Sequence, residues 1–282
     1  MLNSQRYEAI DYLAIGHITV DLADGTPRLG GSATYAALTA QAMGLRAGIV
    51  TAWGEELPAD ALEDIQIVNT PVEHSTNFEN IYLVDGRQQR LHHLASPLEF
   101  HMIPQAWRET PIVHLAPVIG EVSPRILSYF PEALRAVTPQ GWLREWDDDG
   151  QVRAGAWPES AHVLRQSDAA VISVEDVEGD EALIEQMAAS CPVLAVTHGA
   201  GGARLFLNGE SHILDAEETE QIDPTGAGDI FAAAFFVRLH YGRDALAAAQ
   251  FANQVAARSV ERRGLEGVPT RDEIYDLLPE AV

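Results

Sequence analysis

The residues of this chain that are best suited to chemistry lie in one short segment, 223–229, with the sequence DPTGAGD. Asp223 precedes a proline and is therefore pushed toward extended backbone. The apolar run 230–237 predicts a buried helix, so Gly226 and Gly228 lie at the turn into that helix. Because glycine has no Cβ, the backbone there can approach a ligand closely. The free N–H groups of the first helical turn would then offer a site for phosphate.

Asp229 adds a carboxylate beside this predicted phosphate site, where it would repel a resting phosphate. One reason for its presence is to take a proton from a hydroxyl group that attacks phosphorus. A simpler alternative stays open, because an aspartate in the first turn of a helix is stabilising on dipole grounds alone and Gly-rich turns often precede helices. The segment therefore indicates phosphate chemistry without establishing it alone.

Composition narrows the class of protein. The chain has 282 residues, of which 46% are hydrophobic, and this suits one large α/β domain. The net charge of −24 argues against nucleic acid or an anionic membrane as a partner. The N-terminus lacks the apolar core of a signal peptide, and no apolar run approaches the ~20 residues that span a bilayer. The single cysteine, Cys191, excludes an internal disulfide, so we expect a cytoplasmic protein.

The chain contains no lysine, and its 18 basic residues are all arginine. This composition excludes chemistry that needs a P-loop lysine, a protein-kinase strand lysine or a lysine Schiff base. The charge of a bound phosphate would have to be met by backbone N–H groups, arginine and a metal ion.

The alternation of predicted strands and helices favours an α/β fold with a mostly parallel sheet and helices on both faces. Strands are predicted at 9–15, 48–53, 112–116, 134–138, 169–174 and 193–197, and helices at 32–43, 123–130, 180–190, 229–242 and 244–262. Three hairpins, at 19–28, 80–94 and 203–214, turn at the pairs Asp24-Gly25, Asp85-Gly86 and Asn208-Gly209.

The complete DPTGAGD segment resembles the signature of the ribokinase (PfkB) family of carbohydrate and nucleoside kinases, and the resemblance extends over residues 9 to about 264. It implies an anion hole formed by Gly226, Ala227 and Gly228, with Asp229 as the catalytic base. It also implies a ribokinase-like three-layer α/β sandwich. We therefore expect a single domain over residues 1–282, with segments of about 17–29 and 76–98 forming a small β lid over the substrate.

The acceptor side of the predicted site begins at Asp21, which resembles the aspartate that holds substrate hydroxyls in this family. Gly30 and Gly31 resemble the family's pair of glycines, which lets the backbone approach the sugar. The family often has asparagine four residues after the second glycine, where this chain has Tyr35, a stacking face with one hydroxyl. We therefore expect a cyclic polyol or a nucleoside as acceptor, in preference to ribose or fructose.

Two further acceptor-side candidates lie outside these motifs. Arg90, on the predicted lid, is a candidate to contact substrate or phosphate from above. Gln140 follows a predicted strand whose tip should face the crevice, and its amide could bind substrate hydroxyls. For Gln140 the alternative is a turn capped by a packed Trp142.

The donor side resembles the family's nucleotide loop at residues 197–202, where the spacing is T-x-G-x-x-G. The resemblance assigns cofactor binding to Thr197, Gly199 and Gly202, together with Thr225 and Asn253. Taken alone, a Gly-rich loop between a strand and a hairpin is usually only a loop.

A metal role is predicted for Asp176. It lies where the family has an N-x-x-E motif near Mg²⁺, but here Ser173 and Asp176 replace the asparagine and the glutamate. An acidic cluster after a strand is otherwise typical of a solvated surface.

These assignments lead to one main hypothesis, an ATP-dependent kinase that phosphorylates a hydroxyl of a small sugar, cyclic polyol or nucleoside. The implied cofactors are ATP and Mg²⁺, with a monovalent cation left open. The expected partners are small molecules only, and the protein is expected to be a monomer or a homodimer formed through the lid. The alternative is a catalytically inactive family member that acts as a sugar- or nucleoside-binding or scaffold protein, which the altered Ser173/Asp176 pair keeps open.

Overall fold

The computed structural model describes residues 7–23, 25–83 and 86–278 of the chain. Its strands are β1 (Tyr12–Ile15), β2 (Thr19–Ala23), β3 (Thr26–Gly30), β4 (Ala47–Trp53), β5 (Gln66–Pro71), β6 (Asn77–Leu83), β7 (Gly86–His93), β8 (Ile112–Leu115), β9 (Leu134–Val137), β10 (Arg144–Trp146), β11 (Val152–Ala154), β12 (Ala169–Ser173), β13 (Val193–Thr197), β14 (Ala203–Leu207) and β15 (Glu210–Leu214). Its α-helices are α1 (Ser32–Ala42), α2 (Ser160–Gln166), α3 (Glu181–Ala188), α4 (Ala227–Gly242), α5 (Ala245–Ser259) and α6 (Arg271–Asp276). Within the described residues, no helix combines the length and the apolar character that a membrane span requires.

A large sheet forms the middle layer, with the strand order β15-β14-β13-β12-β9-β8-β1-β4-β5. The strands from β13 to β5 pair in parallel, and β14 and β15 add an antiparallel edge. Strands β1, β4 and β8 are buried along their whole length, as parallel strands covered on both faces must be. One core cluster includes residues of α1, α4 and α5, and a second, separate cluster includes residues of α2 and α3. The predicted three-layer α/β sandwich is confirmed.

A second sheet of four strands, in the order β3-β2-β6-β7, projects from the large one and forms the lid. Its strands come from the two segments predicted for it. Strands β2 and β6 pair in parallel, whereas the other two pairs are antiparallel. Of the turn residues predicted for these hairpins, Asp24 and Asp85 lie outside the described residues.

Helix α4 follows the DPTGAGD segment and is apolar on all sides, as a helix enclosed by protein should be. It contacts both α1 and α5, and every residue from Ile230 to Val237 is buried. Gly226 precedes the helix in the left-handed region, with φ 81°. A Cβ at this position would also collide with the ring of Tyr35, so glycine is required here on two grounds.

Some elements differ from the sequence prediction. The helix predicted at 123–130 is a 3₁₀ helix, Pro124–Tyr129, with a proline in its first turn. Strands β5, β10 and β11 and helices α2 and α6 were not predicted. Strand β5 is an edge strand whose side chains are mostly half-buried, and β10 and β11 have three residues each, so none of these carries a clear apolar pattern.

A buried polar row runs from β1 across β8 to the residue after β9, on the α4 side of the sheet. The Tyr12 hydroxyl lies 2.8 Å from Nδ1 of His114, and Nε2 of the same ring lies 2.9 Å from Oγ1 of Thr138. The imidazole packs edge-on against Phe236 of α4, with 5.0 Å between ring centroids. Desolvation lowers the pKa of His114 to about 3, so the ring is neutral and can donate at one nitrogen and accept at the other.

We expect the free energy of unfolding to decrease as the pH is lowered, because of His114. Below pH ~6.5 the unfolded chain binds a proton at this histidine that the folded chain excludes, so between pH 7 and pH 5 folding loses about 2 kcal/mol. Urea unfolding of the parent and of His114→Gln at both pH values measures this loss. The destabilisation caused by the substitution should shrink at pH 5 by that amount. Parallel losses in the two proteins would contradict a neutral buried His114.

Candidate active site

A cleft of about 610 Å³ lies between the lid and the carboxyl ends of the parallel strands. This is where open α/β sheets generally bind ligands. All but three of the candidate residues predicted from the sequence line it. Those that do are Asp21, Gly31, Tyr35, Gln140, Thr197, Gly199, Gly202, Thr225, Gly226, Ala227, Gly228, Asp229 and Asn253.

The turn that opens α4 is held by Asp223. One carboxylate oxygen accepts the Thr225 N–H at 3.0 Å, and the other accepts the Gly264 N–H at 3.0 Å. The Ala227 N–H donates to the Pro224 carbonyl at 3.2 Å, which closes the turn.

Gly228 offers the most open approach to the backbone of this turn. Among the described residues its N–H has no hydrogen-bond acceptor, and a Cβ placed on it would meet no heavy atom within 4 Å. Of the three residues predicted to form the anion hole, Ala227 has its N–H engaged by the Pro224 carbonyl, whereas no acceptor among the described residues takes the N–H of Gly226 or Gly228. Gly228 combines this free N–H with the open approach.

Asp229 lies in the first turn of α4, at the floor of the cleft, and is only partly exposed. Desolvation raises the pKa of its carboxyl to about 6, although a hydrogen bond with Ser32 and the positive charge of Arg144 act in the opposite direction. The negative charges of Asp176 and Asp21 raise the pKa further. A carboxylate with a pKa near neutrality can both accept and release a proton at physiological pH.

Ser32 and Arg144 also line the cleft, and the sequence prediction missed both. Ser32 is buried and is the first residue of α1, directly after Gly31. Arg144 begins β10, and its Nη1 donates to the Val118 carbonyl at 3.0 Å. The position of Ser32 beside the paired glycines was a usable signal, whereas nothing in the sequence distinguished Arg144 from the other arginines.

Gln140 and Asp176 are brought together. The Gln140 amide donates to Oδ1 of Asp176 at 3.1 Å, and Oδ2 accepts the Ser173 N–H at 2.8 Å. This second bond caps the 3₁₀ helix Val174–Val177, whose Glu175 lines the cleft while Asp176 does not. Among the described residues, no cluster of three or more His, Cys, Asp or Glu side chains could hold a metal ion.

Arg90 does not line the cleft, which corrects the expectation that it faces substrate. It is exposed and pairs across the lid with Glu79, whereas the neighbouring pair, Asn80 and Gln89, does line the cleft. Because successive side chains on a strand point to opposite faces, Arg90 lies on the outer face of the lid. The two amides that take its place are joined by a hydrogen bond of 3.0 Å from Gln89 to Asn80.

Gly30 lies behind the cleft and makes room for Asp21. A Cβ on Gly30 would collide with the Asp21 carboxylate and would lie 2.9 Å from Oγ1 of Thr19. That hydroxyl donates to the same carboxylate at 2.9 Å, so the orientation of Asp21 is fixed from below.

The opposite wall of the cleft comprises the loop after β13 and part of α5. Gly202 has φ 82°, and a Cβ there would collide with the Leu214 carbonyl, so this glycine is required by the hairpin that follows. The Asn253 amide donates to the Asp215 carbonyl at 2.8 Å. Glu217 and Glu218, on the segment after Asp215, also line this wall.

Tyr35 separates this cleft from a second one of about 680 Å³ and lines both. It is 2% exposed, and its ring lies directly against Gly226. Desolvation and the negative charges of Asp21, Asp229 and Asp223 raise the pKa of its hydroxyl well above the usual range. The second cleft extends from Tyr35 beneath β3.

Comparisons with known proteins agree with the resemblance predicted from the sequence. Residues 159–271 match the family model of the pfkB family carbohydrate kinases. A ribokinase from Bacillus subtilis is 42% identical over 86 residues, and an inositol 3-kinase from Zea mays is 33% identical over 156 residues. These alignments cover 30% and 54% of this chain, but only 29% and 40% of the two relatives' own lengths.

The fold has close counterparts among solved structures. A pyrophosphate-dependent kinase in the ribokinase family, solved with a pyrophosphate analog and myo-inositol, superposes with a TM-score of 0.79 at 21% identity. The superposition covers 95% of this chain and all of that one. The predicted ribokinase-like fold and the resemblance to the PfkB family are therefore confirmed.

The environment of Asp229 predicts how its pKa responds to Ser32. Because the Ser32 hydroxyl stabilises the charged carboxylate, Ser32→Ala should move the titration of Asp229 above its midpoint near pH 6. Carboxyl-carbon NMR of Asp229 in the ligand-free protein measures both midpoints. Ser160→Ala, at the buried first residue of α2, is the matched control and should leave the midpoint in place. A downward shift in Ser32→Ala would contradict the assigned hydrogen bond.

Proposed function

We propose that this chain is a kinase that transfers a phosphoryl group to a hydroxyl of a small polyol, with Asp229 as the general base. The observation that carries the proposal is the position of Asp229, a carboxylate of raised pKa beside the free Gly228 N–H at the start of α4. The match to the family of carbohydrate kinases includes this segment and supports the same activity.

In the proposed reaction Asp229 takes the proton of the attacking hydroxyl. Its pKa of about 6 suits that step, because the carboxylate is ionised at neutral pH yet basic enough to bind a proton. The Ser32 hydroxyl fixes the carboxylate. The Gly228 N–H and the charge of Arg144 would stabilise the negative charge that develops on the transferred group.

ATP is the phosphoryl donor that we propose, on the basis of the predicted resemblance, and Thr197, Gly199 and Thr225 lie on the wall where it would bind. A Mg²⁺ ion would neutralise donor phosphates. Mg²⁺ commonly uses only one or two protein carboxylates in such sites, so Glu175, which lines the cleft, is the candidate to hold it, and the metal role of Asp176 stays a prediction. A monovalent cation stays a prediction. Because the fold also occurs in a pyrophosphate-dependent kinase, donor assays should include pyrophosphate.

For the acceptor we propose a cyclic polyol. Asp21 and the amides of Asn80, Gln89 and Gln140 line the same cleft as Asp229, so they offer both acceptors and donors to a ring of hydroxyls. The similarity to an inositol 3-kinase supports the same class. A nucleoside is the second candidate, because the cleft beyond Tyr35 has room for a base.

The other expectations stay predictions. These are a cytoplasmic location, no nucleic-acid or membrane partner, a monomer or a homodimer through the lid, and a single domain over residues 1–282. An inactive binding or scaffold protein is the alternative function, and turnover assays decide between the two.

Assays of donor consumption test the proposal directly. ADP release from ATP, and phosphate release from pyrophosphate, would be measured with inositols, nucleosides, ribose and fructose. We expect myo-inositol or a nucleoside to give the highest kcat/KM, because buried polar groups discriminate strongly against ligands that leave them unpaired. Preference for ribose or fructose would overturn the acceptor, and no turnover with any pair would favour the inactive alternative.

Asp229→Asn should lower kcat by ~10²–10⁴, the usual contribution of a general base. The same change should raise the melting temperature of the ligand-free protein at pH 7.5. The reason is that the folded state raises the pKa of Asp229, so its ionised form opposes folding above pH ~6. Turnover and thermal unfolding of the same preparation measure both effects, and unchanged turnover would remove Asp229 from the mechanism.

Gly228→Val should impair donor binding without unfolding the protein. A Cβ at Gly228 meets no heavy atom within 4 Å and Gly228 lines the cleft, so the added methyl groups would occupy cleft space and we expect the KM for the donor to rise about tenfold or more. Gly242→Val, at the other end of α4 and in equally open space, is the control. Equal donor KM values for both variants would rule out phosphate binding at Gly228.

A further inference from the structure

Four segments of the chain join the lid to the large α/β sandwich, and all four meet at His17. The crossings are residues 16–18 before β2, Gly31 after β3, residues 72–76 before β6 and residues 94–96 after β7. His17 is fully buried in the first of them. A polar side chain in this position has to be satisfied by the segments around it.

The imidazole of His17 joins the two crossings of the β6–β7 hairpin. Its Nε2 donates to the Ser96 carbonyl at 2.9 Å, so in the neutral ring Nδ1 accepts the Thr76 hydroxyl at 2.7 Å. Oγ1 of Thr76 in turn accepts the Ala95 N–H at 3.0 Å. The ring therefore fixes the entry and the exit of this hairpin relative to each other.

The backbone of the same segment fixes the β2–β3 hairpin to the large α/β sandwich. The His17 N–H donates to the Glu121 carboxylate at 3.2 Å, and the Ile18 N–H donates to Oγ1 of Thr51 at 2.8 Å. The His17 carbonyl lies so close to Gly31 that a Cβ there would collide with it.

Glu121 extends this junction to the underside of the lid. Its buried carboxylate also accepts the N–H groups of Val118, at 3.0 Å, and Ile119, at 2.9 Å. The side chains of these two residues belong to one apolar cluster with Phe78 and Leu91 of the lid. The same carboxylate thus supports both the hinge segment and the residues on which the lid rests.

We propose that His17 is a positioning residue that sets the height and angle of the lid above the cleft. Asp21 lies four residues beyond it and Gly31 lies against its carbonyl, so both acceptor-side groups take their place from this junction. Asp229 belongs to the large α/β sandwich, so its position does not depend on this junction. His17 thereby controls the distance from acceptor hydroxyl to base, and this consequence rests on the proposed function.

Four substitutions separate the contacts of His17. His17→Phe keeps the size of the ring and removes both of its hydrogen bonds. His17→Asn retains an acceptor for Thr76, His17→Gln retains a donor for Ser96, and Thr76→Val removes the hydroxyl alone. His92→Phe is the matched control, because His92 lies on the same lid but makes an exposed contact with Glu79.

Two measurements decide the proposal. Amide hydrogen exchange of β2 and β6 should become faster in His17→Phe, with smaller effects in the other three variants and none in His92→Phe. The KM for the acceptor should rise about tenfold in His17→Phe while the KM for the donor stays within about twofold, since a misplacement of ~1 Å is enough to impair catalysis.

The proposal is overturned if lid exchange in His17→Phe and Thr76→Val equals that of the parent. It is also overturned if the two KM values rise together, because a general loss of structure would affect both. If His17→Phe does not fold, His17→Asn, His17→Gln and Thr76→Val carry the same test. A parent protein without kinase activity would refute the proposed function, and the exchange measurement would still decide the role of His17.

Discussion

One carboxylate held in a partly desolvated place is the constraint on which the rest of the site depends. Asp229 lies where the amino ends of α1 and α4 meet, and Ser32, the first residue of α1, bonds to it. The positive ends of two helix dipoles therefore point toward one region. This arrangement keeps the carboxylate ionised at neutral pH in spite of its burial, and it exists only because α1 and α4 pack directly against each other.

The lack of a side chain at three glycines shapes the proposed acceptor side of the cleft as much as its polar groups do. The ring of Tyr35 occupies the space that a Cβ on Gly226 would need, and the Asp21 carboxylate occupies that of a Cβ on Gly30. The His17 carbonyl does the same at Gly31. Each glycine thus allows one specific neighbour to approach the backbone, and any larger residue would displace that neighbour. The geometry of the site is therefore set by close packing at three points around it.

Sequence reasoning predicted the sandwich, the lid and most residues of the cleft, because these rest on local patterns. Apolar runs, turn pairs and the DPTGAGD segment are each contained in a few neighbouring residues. Arg90 was misplaced because the face of a strand residue depends on the register, and a shift of one position reverses it. Ser32, Arg144 and His17 act through distant partners. Val118 lies 26 positions from Arg144, Ser96 lies 79 positions from His17, and Asp229 lies 197 positions from Ser32. Contacts of that kind follow from the tertiary fold, and of these three residues only Ser32, beside the paired glycines, carried a local signal.

Because the chain is strongly acidic, the balance of charge in the cleft depends on its few positive groups. Glu175, Glu217 and Glu218 line its donor side, and the chain has no lysine to oppose them. Arg144 lies near Asp229 and is fixed to the Val118 carbonyl, while the Val118 N–H is held by Glu121. Because Glu121 also binds the backbone of His17, the arginine beside Asp229 and the junction beneath the lid share one support. A displacement of the turn 117–121 would therefore move the positive charge near Asp229 together with the lid above the cleft.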